Sequence, residues 1–141
     1  MASGIQVLRI WSDVHLVELR IAINDGTSRF VNQMYVGHSD LAEAISGLEA
    51  SKNQPIHDMQ FGAFGPEYAG GAFRARLHFA LPGRIHVTCL QESDHSEFGK
   101  KVVANSASLH LVSEPALLDR FILEMKRLAS TDDSEAFLEA V

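Results

Sequence analysis

Along residues 14–24 the apolar and polar positions alternate. Val17, Leu19, Ile21 and Ile23 fall on one side, with Glu18, Arg20, Ala22 and Asn24 on the other. Period two with β-branched residues predicts a half-buried strand. Asp25-Gly26 follows as a hairpin turn, and a return strand runs over 28–36. An earlier strand over 5–11 ends at Ser12-Asp13. The period then changes. Leu41, Ala44, Ile45 and Leu48 recur at helical spacing, with Asp40 and Glu43 forming a capping box, Ser39 a competing cap, and an end near Glu49 or Ala50.

After the polar break Lys52-Asn53-Gln54-Pro55, a strand is predicted over 56–64 and a loop over 65–71. Residues 72–81 alternate most cleanly. Phe73, Ala75, Leu77, Phe79 and Leu81 face inward; Arg74, Arg76 and His78 face outward. Beyond the Pro82-Gly83 turn, Ile85, Val87 and Cys89 face inward, with His86 and Thr88 outward. A polar loop over 92–100 precedes a last strand over 101–111. That strand turns Val103, Ala107, Leu109 and Leu111 inward and Ser106, Ser108 and His110 outward. Ser113-Glu114-Pro115 opens a second helix with an apolar stripe of Leu117, Leu118, Phe121, Ile122, Met125 and Leu128. Ser130-Thr131-Asp132-Asp133 breaks it, and 134–141 is expected to form one or two loose helical turns around Phe137.

The element order is β-β-β-α-β-β-β-β-α. It predicts an α+β protein: an antiparallel sheet of about six to seven strands, with two amphipathic helices covering one face. No internal repeat is visible. A chain of 141 residues with 46% apolar content suits a single domain. Its core is expected over about 5–129, with 130–141 a loosely ordered acidic tail.

Eighteen acids against 12 bases give a net charge of −6, which argues against a nucleic-acid binder. The lone Cys89 permits no internal disulfide, and its inward position suits inert packing. The N-terminus lacks a basic flank and a long apolar run, and no apolar stretch approaches a membrane span. A cytoplasmic location is expected.

Gly37-His38-Ser39-Asp40 sits at a strand-to-helix junction, but Leu41 stands where a nucleophile elbow requires glycine, so Ser39 and Asp40 are expected to be caps. Gly62, Gly65, Gly70 and Gly71 punctuate Phe61, Phe64 and Tyr68 without the lysine of a phosphate loop. They suit bulges and a turn, and the aromatics could edge a binding surface. His78 and His86 flank the Pro82-Gly83 turn and share the outward face, directly opposed or diagonal. A zinc site needs three or four ligands, so no metal and no cofactor is expected. Glu92, Asp94, His95 and Glu97 crowd a loop that lacks the order of a calcium site. Arg74, Arg76, His78, His86 and His110, with Ser106 and Ser108, make a candidate face for an anion, the chain's own acidic tail or a protein.

The element order, the helix over 41–48 after a hairpin, the run ending Leu81-Pro82-Gly83-Arg84 and the final helix over 113–129 resemble a group of small uncharacterised bacterial domains. Some of these are immunity proteins beside polymorphic toxins. The resemblance spans about residues 5–129 and implies a binding role, with neutralisation of a basic toxin. The expectation is therefore a non-catalytic protein-binding module. Its candidate partner-binding acids are Glu92, Asp94 and Glu97 in the loop and Asp132, Asp133 and Glu135 in the tail. The alternative is an enzyme or small-ligand binder using the arginine and histidine face. That open face could also support a homodimer.

Overall fold

The computed structural model describes residues 2–51, 58–64, 71–132 and 134–141, with 58–64 and Ala80 described at the backbone alone. The order is β1 (Gly4–Ser12), β2 (Leu16–Asn24), β3 (Arg29–Gly37), α1 (His38–Ser51), β4 (Asp58–Phe64), β5 (Ala72–Leu81), β6 (Arg84–Glu92), β7 (Ser96–Phe98), β8 (Lys101–Val103), β9 (Ser106–Ser113), α2 (Pro115–Ser130) and β10 (Glu135–Glu139). The protein is α+β, its sheets are antiparallel, and the expected order of strands and helices is kept, with two short strands added between β6 and β9 and a further strand after α2.

The expected single sheet is divided in two. One has the strand order β10-β1-β2-β3, the other β4-β5-β6-β9, and β7 and β8 pair with each other as a separate ribbon. Alternation determines which side chains face the core; it does not determine which strand becomes whose neighbour. After β3 the chain passes through α1 into the second sheet, where β4 pairs with β5. After β9 it passes through α2 and returns to the first sheet, where β10 pairs with β1. The halves β1-β2-β3-α1-β4 and β5-β6-β9-α2-β10 thus share one topology, each giving its last strand to the other's sheet. Nothing in the sequence repeats to announce this.

Both sheets enclose one core with the helices. Leu19, Ile21, Met34, Leu48, Phe73, Leu77, Val87, Phe121, Met125 and Leu138 all belong to it. α2 buries the expected stripe, with Leu117 half-buried at its edge. Its first turn has Pro115 at N1 and Glu114 as N-cap without a side-chain cap bond. Ser113 does not cap α2: its hydroxyl donates to the Glu139 carbonyl at 2.7 Å. At the other end of α2, the buried Arg9 guanidinium donates to the carbonyls of Leu128 (3.0 Å) and Ala129 (2.9 Å).

Several expectations are corrected. The tail is a strand, not helical turns: Ala136 and Leu138 point into the core while Glu135, Phe137 and Glu139 point away. Phe137, the expected anchor, is only half-buried. The loop over 92–100 contains β7, and the strand expected over 101–111 is broken at Ala104-Asn105 into β8 and β9. Asn105 instead receives the Ser93 N–H on its carbonyl at 2.8 Å. Leu81, expected inward, is 59% exposed, because the β5–β6 register shifts between His78 and Leu81. α1 starts at His38, so Ser39 and Asp40 lie in its first turn rather than at the cap. There Asp40 still favours the helix N-terminus electrostatically.

Candidate interaction surfaces

The outward face of the second sheet gathers the residues expected to share it. Pairing across β5, β6 and β9 places Arg74, Leu90 and Ser108 in one row, Arg76, Thr88 and His110 in the next, and His78, His86 and Val112 in the third. Of the two registers open to His78 and His86, the directly opposed one is realised, with ring centroids 6.4 Å apart. Thr88 Oγ1 lies 3.2 Å from His110 Nδ1. Arg74, Arg76, His78, His86 and His110 are all exposed. Among the described residues, no group of three or more His, Cys, Asp or Glu is placed to hold a metal ion.

The candidate acids divide into two kinds. Asp132 forms an ion pair with Arg9 at 3.1 Å and accepts the Ser12 hydroxyl at 2.8 Å. Glu135 accepts the Gln6 side-chain amide at 2.9 Å. These two carboxylates tie the tail to β1. Asp133 lies outside the described residues. Glu92, Asp94 and Glu97 lie around the start of the β7–β8 ribbon, where the Glu92 carboxylate is 3.7 Å from His95 Nε2.

The ribbon itself is exposed along both strands, with Val103 half-buried. Its pairs are Ser96 with Val103, Glu97 with Val102 and Phe98 with Lys101. Phe98 and Val102 therefore project from opposite faces, 73% and 68% exposed. Lys100 and Lys101 at the tip offset part of the acidic charge at the base. The polar composition of 92–100 suggested a loop and hid this ribbon. The alternation of Glu97, Phe98 and Val102 around Gly99 is the only signal that could have shown it.

Two other features escaped sequence reasoning. Trp11 and Tyr35 meet edge to face on the outer side of the first sheet, ring centroids 6.0 Å apart, with Trp11 45% exposed. They lie on either side of Glu18 in one row across three strands, a proximity that depends on the bulge between Arg9 and Trp11. Where β3 meets the ends of β5 and β6, an open cleft of about 530 Å³ has a polar lining that includes Arg20, Gln33 and Asp94. Its lining residues come from distant parts of the chain and carry no common motif.

Titration follows local geometry. Asp13 accepts the backbone N–H groups of Leu16 and His15, both at 2.8 Å, which holds its carboxyl below the ordinary value. Asp25 does the same for Ser28 and Thr27. Both close turns. Burial pushes the Cys89 thiol up to about 12, so it stays protonated and inert within the core. His38, beside the nucleophile-elbow position, has Nε2 2.7 Å from the Asp13 carbonyl, and Ser39 and Asp40 are exposed. The Phe61, Phe64 and Tyr68 side chains, and Gly65 and Gly70, lie outside the described residues. No helix of the described residues is long and apolar enough to cross a membrane. Compared with protein-family models, curated proteins and solved structures, the chain matches none.

Proposed function

We propose that this chain is a non-catalytic protein-binding module, acting as immunity proteins beside bacterial toxins do, by capping a basic partner. The observation that carries this reading is the β7–β8 ribbon. It pairs only with itself among the described residues, and it holds Phe98 and Val102 in solvent beside Glu92, Asp94 and Glu97. A two-stranded ribbon is marginal on its own in water. Burying a phenylalanine side chain contributes roughly 1.5–3 kcal/mol, so Phe98 gains most when a partner covers it. The acids supply the complementary term: they attract a basic surface and orient its approach, in keeping with a net charge of −6. Asp132 and Glu135 serve the fold, so the loop trio is the electrostatic part of the proposed surface.

The test is capture from a native lysate by the immobilised chain, run beside Phe98→Ser and the triple variant Glu92→Gln/Asp94→Asn/Glu97→Gln. The expected result is a basic protein retained by the wild type and depleted on both variants. Retention of the same proteins by all three would overturn the reading, and so would retention of none.

A second reading rests on the outward face of the second sheet, where Arg74, Arg76, His78, His86 and His110 occupy neighbouring rows. Such a face suits an anionic small ligand or a second copy of the chain. Saturable binding of citrate lost in Arg74→Gln/Arg76→Gln would favour the ligand. A sedimentation coefficient that rises with concentration and falls in the same variant would favour the homodimer.

A further inference from the structure

The cleft between the sheets holds two opposite charges that do not meet. Arg20, exposed on the outer side of β2, stands opposite Gln33 of β3. Asp94 follows β6 and lines the same cleft. Among the described residues, neither the Arg20 guanidinium nor the Asp94 carboxylate has an ion pair within 4.0 Å. Gly71 shows how the second charge is placed. Its φ is +78°, and a Cβ there would lie 2.3 Å from the Gln33 carbonyl oxygen and 3.1 Å from Asp94 Oδ1. The carboxylate thus stands close to the backbone of Gln33, the residue whose other neighbour is Arg20.

The cleft is also firmly built. Asn32, one of its lining residues, is buried and donates its side-chain amide to the carbonyls of Ala72 (3.3 Å) and Glu92 (2.9 Å). Asn32 Oδ1 accepts the Gln91 amide at 2.5 Å, and Gln91 donates again to the Ile21 carbonyl at 3.2 Å. These bonds lock β2, β3, β5 and β6 together behind the cleft. On the facing wall, Ser93 and Asn105 exchange two bonds: Ser93 N–H to the Asn105 carbonyl at 2.8 Å, and Asn105 N–H to the Ser93 hydroxyl at 2.9 Å. Preorganised walls of this kind lower the ordering cost of binding.

We propose that this cleft binds a small zwitterion of the α-amino-acid class, its carboxylate on Arg20 and its ammonium on Asp94. A guanidinium fork matches a carboxylate, and an aspartate matches an ammonium. Gln33, Ser96 and Asn105 supply neutral donors and acceptors between them. Among the described residues Val31 is the one aliphatic side chain of the lining, so a small or polar ligand side chain suits these walls better than a large apolar one. A ligand with a single charge satisfies one wall and leaves the other to water.

The test is a ¹H–¹⁵N titration of the full chain with a pool of free amino acids, then with the active member, its N-acetyl derivative and its amide. The expected result is saturable shifts at Gln33, Ser93, Asp94 and Asn105, with a dissociation constant of about 1 mM or tighter. Either single-charge derivative, and either Arg20→Gln or Asp94→Asn, should weaken binding by about tenfold or more. Both side chains are exposed and have no ion pair among the described residues, so the variants should keep the wild-type spectrum elsewhere. No saturable shift from the pool would overturn the inference; so would equal binding by the N-acetyl or amide form. Arg20→Gln leaves the acidic trio of the ribbon intact. Loss of zwitterion binding in that variant with partner capture retained separates this site from the protein-binding surface.

Discussion

Arg9 is the residue whose removal should reveal how the two halves are held together. Its side chain is 9% exposed, and its guanidinium reaches the Leu128 carbonyl at 3.0 Å, the Ala129 carbonyl at 2.9 Å and the Ser12 hydroxyl at 2.9 Å, with Asp132 at 3.1 Å. It thus satisfies carbonyls that α2 leaves without intrahelical partners, and it places a cation at the negative end of the helix. Removing the guanidinium leaves two helix-end carbonyls, one buried and one partly buried, without a donor, at about 1–3 kcal/mol each. Arg9 Nε is already buried without a partner, which moves the expectation for Arg9→Ala to the lower end, about 3 kcal/mol. Arg9→Met keeps most of the stem packing and loses only the donors, so it should cost about 2 kcal/mol. Asp132 is 73% exposed, and Asp132→Asn should cost under about 1 kcal/mol. Urea unfolding gives these values if the slope with denaturant is unchanged. Amide exchange in β10 and the last turn of α2 should quicken in Arg9→Met before it does elsewhere. An Arg9→Met protein within about 0.5 kcal/mol of wild type would show that the guanidinium is not the clamp.

Cys89 should resist a thiol reagent in the native protein and react fully after unfolding, because burial holds its thiol at about 12; rapid reaction of the native protein would contradict its placement. Asp13 and Asp25 have folded-state values below the ordinary 3.8, so their contribution to stability is present above that value and lost as pH falls through the lowered ones. Asp13→Asn/Asp25→Asn retains the turn acceptors without the titration. Its stability should therefore depend less steeply on pH in the acid range, and an unchanged slope would show that these carboxylates do not carry the effect.

The face of the second sheet was legible because period two assigns sides without knowledge of pairing. Arg74, Arg76, His78, His86 and His110 followed from parity alone, and the Pro82-Gly83 turn brought His78 and His86 together. Arg9 was legible by the same rule and was hidden by its charge: it continues the inward series Ile5 and Val7, and a charged residue in that series suggests the end of the pattern. Asn32 and Gln91 are a similar case, two polar residues on inward positions that satisfy each other and the backbone where the sheets meet. The division into two sheets was not legible, since both crossings pass through helices and local patterning says nothing of where a crossing lands. The tail carried a weak signal. Ala136 and Leu138 alternate with Glu135, Phe137 and Glu139, but the aromatic Phe137 in the outward series blurs that pattern, which over five residues competes with a helical turn centred on Phe137.

Capture of a basic protein by the acidic ribbon is the core of the proposed function. The most direct measurement is the association rate of the captured partner with the wild-type chain and with Glu92→Gln/Asp94→Asn/Glu97→Gln across a range of salt. Charges at the edge of an interface act mainly on association, and salt screens them over about 10 Å at 0.1 M. The wild-type rate should fall steeply as salt rises, the variant should start slower and depend less on salt, and dissociation should change little. A wild-type association rate indifferent to salt, or equal to that of the variant, would contradict the account.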